Sequence, residues 1–269
     1  MNVPIMSPAA EAKGTKTLPK QFSEPVRLDL IRKAVLLLQA GARQPYGAHP
    51  EAGMQVSAKL SRRRRDYKTS YGHGISRVPR KVLSVRGTRF NWVGAEAPGM
   101  VKGRRAHPPK VEKLVEKKMN KQERRKAIRS ALAATLSKEL VKARGHMIPD
   151  KYPFLITDDF EQLKSTKQVV QALTTLGFSK DLERAQGRKI RAGKGKTRGR
   201  KYKVRTSVLL VVSKDCPLLM AARNIPGVDI TTAQALNAEL LAPGCTPGRA
   251  TLYSESSISV LEKLFGGNA

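Results

Sequence analysis

The pattern of hydrophobic and polar positions in the last third of the chain switches repeatedly between the pattern of a β-strand and that of an α-helix. Ser207–Ser213 is a continuous apolar run bounded by serines, which is typical of a strand buried on both faces. Shorter apolar runs at Val228–Thr231 and Ala250–Tyr253 predict two further strands. The helical period predicts helices between and after these strands, at Leu218–Arg223, Ala233–Leu241 and Glu255–Phe265.

The same alternation of strand and helix is present upstream. Pro153–Thr157 has the pattern of a strand, and the helical pattern of Thr166–Leu176 ends at Gly177. Strands separated by helices of about ten residues indicate βαβ units. The pattern therefore predicts an α/β fold, a three-layer domain with a mostly parallel sheet.

Two more helices are predicted in the first half of the chain. One begins near Ser23, a residue type that caps helices, and ends at Gly41. The other begins at Asn120, because Asn120 followed by Glu123 resembles a capping box, and it continues to about Gly145.

Between these two helices lies a long segment with no helical or strand period. Arg43–Lys110 contains 16 Lys/Arg residues against three acidic residues, and it includes the run Arg62–Arg65. A segment of this length without its own packing is uncommon in a compact domain, and its like charges repel one another. We therefore expect a long extended basic loop that interrupts the domain and is held by a polyanion, most commonly nucleic acid.

A second basic segment, Gly187–Arg205, contains ten Lys/Arg residues, four glycines and no acidic residue. Gly195–Thr197 imitates the end of a phosphate-binding loop. Ile190 stands where that motif needs a glycine, however, and the segment precedes a strand instead of following one. We interpret it as a flexible cationic strip, in which glycines let the backbone approach phosphates.

The composition of the whole chain supports a polyanionic partner. Its 52 basic and 21 acidic residues give a net charge of +31, far beyond what solubility requires. Thr206–Ala269 holds only four basic and five acidic residues, so nearly all the positive excess lies upstream. Aromatic residues make up 5% of the chain, which disfavours a protein that binds single strands by stacking bases.

These patterns predict four segments. Residues 1–20 are expected to form a flexible N-terminal segment, because they are rich in proline and alanine. Residues 21–43 and 110–269 are expected to form the globular α/β domain, and residues 44–109 the extended loop. Residues 187–205 form the basic glycine-rich strip within the domain.

Metal, cofactor and membrane chemistry find little support in the sequence. Cys216 and Cys245 lack CxxC partners, and the four histidines lack ligand spacing, so we expect no metal and no cofactor. We also expect no membrane span, because the longest apolar runs are too short, and no secretory signal. The chain is expected to be intracellular.

Catalysis is likewise disfavoured. Asp158 and Asp159 follow a predicted strand, where α/β enzymes place functional groups. Adjacent side chains diverge, however, and Asp159 is interpreted as a helix cap. His107 lies between alanine and prolines and is expected to make a structural or RNA-backbone contact. We therefore predict that the protein is not an enzyme.

A set of motifs follows in order along the chain. They are Arg43–Gly47, Lys102–Lys110, Asn120–Arg125, Ala127–Leu132, Arg191–Arg200, Ala222–Asp229 and Leu236–Gly244. Together they resemble the universal large-subunit ribosomal protein L-four family over roughly residues 20–265, and the archaeal and eukaryotic branch fits better than the bacterial one. The N-terminal strand usual in the family is expected to be missing, because proline- and alanine-rich sequence precedes Lys16.

The resemblance implies a structural protein of the cytoplasmic large ribosomal subunit that binds large-subunit rRNA and acts early in its assembly. The loop would line part of the peptide exit tunnel. Implied partners are rRNA and neighbouring large-subunit proteins, including the other protein of the tunnel constriction, with no membrane and no small-molecule substrate.

The residues implied to contact rRNA lie in the loop and in the strip. In the loop they are Arg43, Arg62, Arg63, Arg64, Arg65, Lys68, Arg77, Arg80, Lys102, Arg104, Arg105 and His107. In the strip they are Arg191, Lys194, Lys196, Arg198, Arg200 and Lys201. Those implied to lie nearest the tunnel are Arg86, Arg89, Phe90 and Trp92. The two aromatic side chains are expected to stack on bases or to pack on a partner protein.

Two other classes remain open on the residues alone. An RNA-modifying α/β enzyme should carry a glycine-rich turn after its first strand, and this feature is not evident in the sequence. A chromatin-like basic protein should bind duplex DNA as well as structured RNA. Co-sedimentation with ribosomal subunits, in salt that removes loosely bound proteins, discriminates most of these alternatives.

Overall fold

The computed structural model describes residues 1–66 and 69–266. Helices and strands are mixed along the chain, as the predicted α/β class requires. The chain divides into two compact units. The first unit comprises Met1–Ala42 and Glu116–Ala269, and the second comprises Arg43–Val115.

The secondary-structure elements are numbered in chain order. The strands are β1 (Asn2–Met6), β2 (Ala12–Thr17), β3 (Arg80–Arg86), β4 (Arg89–Gly94), β5 (Leu155–Ile156), β6 (Lys189–Ile190), β7 (Tyr202–Lys203), β8 (Leu209–Val212), β9 (Asp229–Thr232) and β10 (Thr251–Tyr253). The helices are α1 (Leu28–Gly41), α2 (Lys121–Leu136), α3 (Lys138–Ala143), α4 (Thr166–Leu173), α5 (Ser179–Gln186), α6 (Leu218–Ala222), α7 (Ala238–Leu241) and α8 (Glu255–Phe265).

Strand β8 is buried along its whole length, in agreement with the continuous apolar run that predicted it. It pairs in parallel with β9 on one side and with β10 on the other. Its alternate residues belong to two cores. Leu209 and Val211 pack with residues of α1, α2, α7 and α8, whereas Leu210 and Val212 pack with residues of α4, α5 and α6. Helices therefore cover both faces of this strand.

The N-terminal segment differs from the prediction. Residues 1–20 were expected to be flexible, yet β1 and β2 pair antiparallel, and β1 also pairs in parallel with β5. Val3 and Ile5 point to the same face of β1, and both are buried in the core. This short alternation supplies the apolar face of a strand, although Pro4 lies between the two residues and proline is rare inside strands.

Three predicted helices are shorter than their patterns suggested. The helix predicted to begin near Ser23 begins only at Leu28. The helix predicted from Asn120 to Gly145 breaks at Ser137, whose ψ of 110° is extended, and this break separates α2 from α3. The predicted capping box does not form: Asn120 makes no side-chain cap bond, and Glu123 pairs with Lys33 at 2.7 Å instead. The helix predicted from Ala233 begins only at Ala238, where Asn237 accepts a bond from the Leu240 amide at 2.9 Å.

The second unit contains a hairpin where no strand was predicted. Strands β3 and β4 pair antiparallel, with an irregularity between Val82 and Ser84, and a two-residue turn at Gly87–Thr88 joins them. Gly87 has a φ of 59°, a conformation that glycine adopts at no steric cost. Most side chains of β3 are exposed and follow no apolar alternation. In β4 exposed and half-buried residues alternate, but the strand is only six residues long and its sequence was interpreted as part of the unpacked basic segment.

Candidate nucleic-acid interface

The arginine run Arg62–Arg65 is fully presented to solvent. A short turn around it is closed by two hydrogen bonds, from the Ser61 hydroxyl to Asp66 at 2.7 Å and from the Thr69 hydroxyl to the Arg63 carbonyl at 2.6 Å. All four arginines are exposed. Within the described part of the chain, no hydrogen bond or ion pair engages their guanidinium groups, so these groups are available for phosphates.

Other predicted contacts of the second unit share this exposure. The exposed residues are Arg43, Arg77, Arg86, Arg89, Lys102, Arg104, Arg105 and His107. The guanidinium of Arg77 lies 4.5 Å from the centre of the Tyr71 ring, a distance at which cation and ring attract each other. Lys68 lies outside the described residues.

Arg104 owes its position to a close approach of two backbone segments. Its amide donates to the Glu96 carbonyl at 3.2 Å. Gly53 lies directly against it, because a Cβ atom at that glycine would come within 2.5 Å of the Arg104 nitrogen. Gly53 also has a φ of 81°, so any other residue there would force the two segments apart.

Arg80, which was predicted to contact rRNA, is buried and hydrogen-bonded within its own unit. Only 9% of its surface is exposed, and its guanidinium donates to the Ser76 carbonyl at 2.5 Å and to the Ser76 hydroxyl at 3.2 Å. The same guanidinium lies 5.2 Å from the centre of the Trp92 ring. Internal hydrogen bonds thus occupy this charge, and we assign Arg80 to holding the base of the hairpin in place of the predicted contact.

Phe90 and Trp92 contact each other on β4. Their ring centres are 5.1 Å apart with an interplanar angle of 24°, which is a stacked pair. Arg80 covers part of the Trp92 ring, as described above. Both aromatic residues are half-buried, so part of each ring surface is covered and part remains exposed.

The basic strip forms a small hairpin in the first unit. Strands β6 and β7 pair antiparallel, and Arg191 closes the loop between them. Its side chain donates to the carbonyls of Arg200 at 3.0 Å and Tyr202 at 3.4 Å, while its amide donates to the Lys201 carbonyl at 2.8 Å. Arg191 was predicted to contact rRNA, but its guanidinium is engaged in shaping the strip.

The remaining cations of the strip point outward. A single turn at Lys196–Arg198 ends at Gly199, whose φ of 78° is left-handed. Lys201 lies 5.5 Å from the centre of the Tyr202 ring. The exposed residues are Lys194, Lys196, Arg198, Arg200 and Lys201. Backbone pairing and a glycine-terminated turn therefore hold these charges in a defined loop.

A buried carboxylate at the foot of the strip was not predicted. Asp181 on α5 accepts hydrogen bonds from the Ser207 hydroxyl at 2.6 Å, the Met147 amide at 3.0 Å and Arg184 at 3.0 Å, and it lies 3.3 Å from His146. Burial acts to raise the pKa of Asp181, but the hydrogen bonds from His146, Ser207 and Met147 outweigh it and lower the pKa to about 2.

Arg184 connects this carboxylate to the strip. Its guanidinium donates to the Thr206 carbonyl at 2.7 Å, directly after the last basic residue of the strip, Arg205. The Asp181 network therefore fixes the point at which the strip returns to the core strand β8.

We expect the Asp181→Asn variant to lose stability in a pH-dependent way. Because the folded pKa of Asp181 lies near 2 and the unfolded value near 4, its contribution is complete above about pH 4 and is lost as the pH falls toward 2. The expected loss at pH 6 is on the order of 2 kcal/mol. Urea unfolding of both proteins between pH 2 and pH 6 measures this, and a difference that stays constant with pH would contradict the assignment.

Arg249 is among the largest fully buried side chains of the described residues, and sequence reasoning missed it. Its guanidinium donates to the carbonyls of Ser207 at 2.9 Å, Leu240 at 3.1 Å and Gly227 at 3.3 Å, and to the Asp229 carboxylate at 2.5 Å. Burial lowers the pKa of Arg249, and the Asp229 carboxylate opposes this shift. A single arginine thus joins the ends of β8 and β9 to α7.

The paired aspartates have structural partners. Asp158 accepts from the Ser256 amide at 3.0 Å and from the Ser256 hydroxyl at 2.8 Å, at the start of α8. Asp159 pairs with Lys13 at 2.9 Å, so it does not cap the turn that follows it. Among the residues that the structure describes, no group of His, Cys, Asp and Glu side chains is arranged to hold a metal ion.

An α/β unit with exposed, arginine-rich segments is typical of structural RNA-binding proteins. The profile of the ribosomal protein L4/L1 family matches residues 16–264. The chain belongs to the ribosomal protein L4/L1 family, as its motifs predicted, and it is therefore a ribosomal protein.

Archaeal relatives match the chain over nearly its full length. The large ribosomal subunit protein uL4 of Nanoarchaeum equitans is 50% identical over 268 residues, covering 98% of this chain and 100% of that protein. The protein of the same name from Methanococcoides burtonii is 47% identical over 262 residues, covering 97% and 98%. That of Methanopyrus kandleri is 43% identical over 271 residues, covering 99% and 100%. In the described parts of this chain, no helix is both long and apolar enough to span a membrane.

Proposed function

We propose that this protein is a structural constituent of the large ribosomal subunit and binds large-subunit rRNA through two basic surfaces. The first consists of the exposed cations of the second unit, centred on Arg62–Arg65. The second is the strip hairpin between Arg191 and Lys201. Family membership supports the ribosomal setting, and the exposed guanidinium and ammonium groups support phosphate binding.

The observation that carries this proposal is the contrast between two kinds of arginine. Arg80, Arg191 and Arg249 are engaged in hydrogen bonds to their own chain. Arg62–Arg65 and the outward cations of the strip have no such engagement among the described residues. The arginines that stabilise the fold are thus different residues from the cations that are exposed and able to bind a polyanion.

The finer roles follow from the same proposal. The second unit acts as the long loop of the family, and the tip of the β3–β4 hairpin, with Arg86 and Arg89, lines the peptide exit tunnel. The strip anchors the margin of a three-layer α/β domain with a mostly parallel sheet. Neighbouring large-subunit proteins, including the other protein of the tunnel constriction, complete the site in the cytoplasmic ribosome, and the contacts form early in rRNA folding.

Co-sedimentation with ribosomal subunits tests the proposal. We expect the protein to remain with the large subunit in about 0.5 M salt, which removes proteins held only by non-specific charge. A protein found equally on small subunits, or fully released, would contradict the proposed setting. Equal affinity for duplex DNA and for rRNA would instead favour the chromatin-like class.

A further inference from the structure

A cleft of about 910 Å³ opens on the first unit, apart from the strip and its foot. Its walls are formed by α1, by the start of α2 and the residues that precede it, by the start of α7, and by the end of α8. The residues that line its floor and walls with apolar groups are Ala34, Leu37, Leu38, Met119, Ile128, Leu236, Ala238, Leu264 and Phe265.

The α1 wall is an apolar stripe that the chain leaves partly uncovered. Ala34, Leu37, Leu38 and Gly41 follow the spacing of one helix face, which in a folded domain normally packs against another element. Ala34 is buried, but Leu38 remains 37% exposed, and Leu264 on the opposite wall remains 36% exposed. The cleft therefore exposes leucine side chains that a helix-sized partner would bury.

The wall formed by α2 also has residues spaced along one helix face, but most of these residues are positively charged. Lys121, Arg124 and Arg125 share one helix face with Ile128, and Lys117 and Lys118 precede them at the same rim. These five cations are exposed and form no ion pair within the described residues. Glu116 is the one carboxylate among the described residues that line the cleft. These five cations therefore form a strongly positive rim, and the leucines of the cleft form an apolar surface below it.

We propose that this cleft, which we call the α1–α2 groove, docks an amphipathic helix of a partner protein whose apolar face carries leucine-like side chains and whose flanks carry carboxylates. The apolar face fills the space between Leu38 and Leu264. The flanking carboxylates pair with Arg124 and Arg125. Helix-in-groove recognition of this kind uses apolar anchors three and four residues apart, which matches the spacing of the α1 wall.

A protein helix fits the α1–α2 groove better than RNA does. RNA phosphates would pair with the cations of the rim, but they would leave Leu38 and Leu264 in contact with water or with charged groups. The apolar residues of the cleft therefore favour a ligand with an apolar surface, and the positive rim favours a ligand whose flanks are negatively charged.

Fluorescence anisotropy with a labelled synthetic peptide tests the inference on the full chain. The probe is a 14-residue helix-forming peptide, with leucines at helical spacing on one face and glutamates beside them. We expect saturable binding with a Kd on the order of 10 µM. A peptide of the same composition, with the leucines scattered around the helix, is expected to bind about tenfold more weakly.

Matched variants of the protein locate the binding. Leu38→Asp is expected to weaken peptide binding about tenfold, because it places a charge on the apolar wall. Leu36→Asp should change it less than about twofold, since Leu36 is 50% exposed on the same helix but does not line the groove. Arg124→Glu combined with Arg125→Glu should weaken binding about tenfold. The equally charged pair Lys164→Glu and Lys167→Glu should not, and circular dichroism confirms that each variant is folded.

Three results would overturn the proposal. Absence of saturable peptide binding at about 1 mM would remove the groove as a docking site. Tight binding of a 12-nucleotide RNA that Arg124→Glu with Arg125→Glu abolishes, with no effect of Leu38→Asp on the peptide, would make the rim an RNA contact. A dimer in sedimentation equilibrium that Leu38→Asp dissociates would make a second copy the occupant. Because Leu38→Asp is expected to leave rRNA affinity unchanged, failure here is distinguishable from failure of the proposed function.

Discussion

Replacing Arg62–Arg65 with alanine is expected to reduce incorporation into large ribosomal subunits at least about 100-fold when the variant competes with the wild-type protein. Each charge-assisted hydrogen bond to a desolvated phosphate contributes about 1.5–3 kcal/mol, so the loss of even two such bonds produces this effect. The folded state should not change, because none of the four guanidinium groups has a partner in the described part of the chain. Quantitative mass spectrometry of reconstituted subunits measures the ratio of the two proteins.

A shortened hairpin serves as the matched control. Replacing residues 83–91 with Asn-Gly joins β3 to β4 directly at the Val82–Trp92 pair and removes Arg86, Arg89 and Phe90. We expect this variant to incorporate nearly as well as wild type and to change nascent-chain stalling or sensitivity to tunnel-binding antibiotics. If the shortened protein failed to assemble while the four-alanine variant assembled normally, the division between anchor and tunnel would be reversed.

Arg249→Ala is expected to lower the free energy of unfolding of the first unit by about 3–5 kcal/mol. The substitution leaves three carbonyls at the ends of buried elements without their donor and opens a cavity where a fully buried side chain lay. It also leaves Asp229 without its ion-pair partner. Urea unfolding followed by circular dichroism measures the change.

Arg223→Ala is the control for this substitution. Arg223 lies in the same third of the chain, but it is exposed, and the one hydrogen bond of its guanidinium among the described residues goes to the Met220 sulfur at 3.6 Å. Its loss should change the free energy of unfolding by less than about 0.5 kcal/mol. If the two substitutions changed the free energy of unfolding by similar amounts, the hydrogen bonds of Arg249 would not be important for stability.

The sequence predicts those elements whose signals are local. The apolar run of β8 needed only its own residues to be recognised as a strand, and α8 needed only its helical period. The structure adds a cap to α8, because the Ser254 hydroxyl accepts from the Ser257 amide at 3.3 Å. Strand β1 was missed because its apolar alternation is short and is interrupted by Pro4, a residue type that is rare inside strands. The break at Ser137 was missed because neither glycine nor proline marks it.

The candidate site shows the same limit. The exposure of Arg62–Arg65 follows from charge alone, since four adjacent cations cannot be buried together. The internal roles of Arg80 and Arg191 could not be predicted, because their partners are backbone carbonyls positioned by turns. The partners of Asp181 and Arg249 likewise come from distant segments, and no local pattern indicates them.

The salt dependence of binding to large-subunit rRNA tests the central claim most directly. Each phosphate that the protein neutralises adds about 0.7 to 0.9 to the slope of log K against log salt. If the two basic surfaces engage rRNA even partially, the slope should be steeper than about −5. A slope between about −1 and −2 would mean that most of these cations remain solvated, and it would contradict the proposed function.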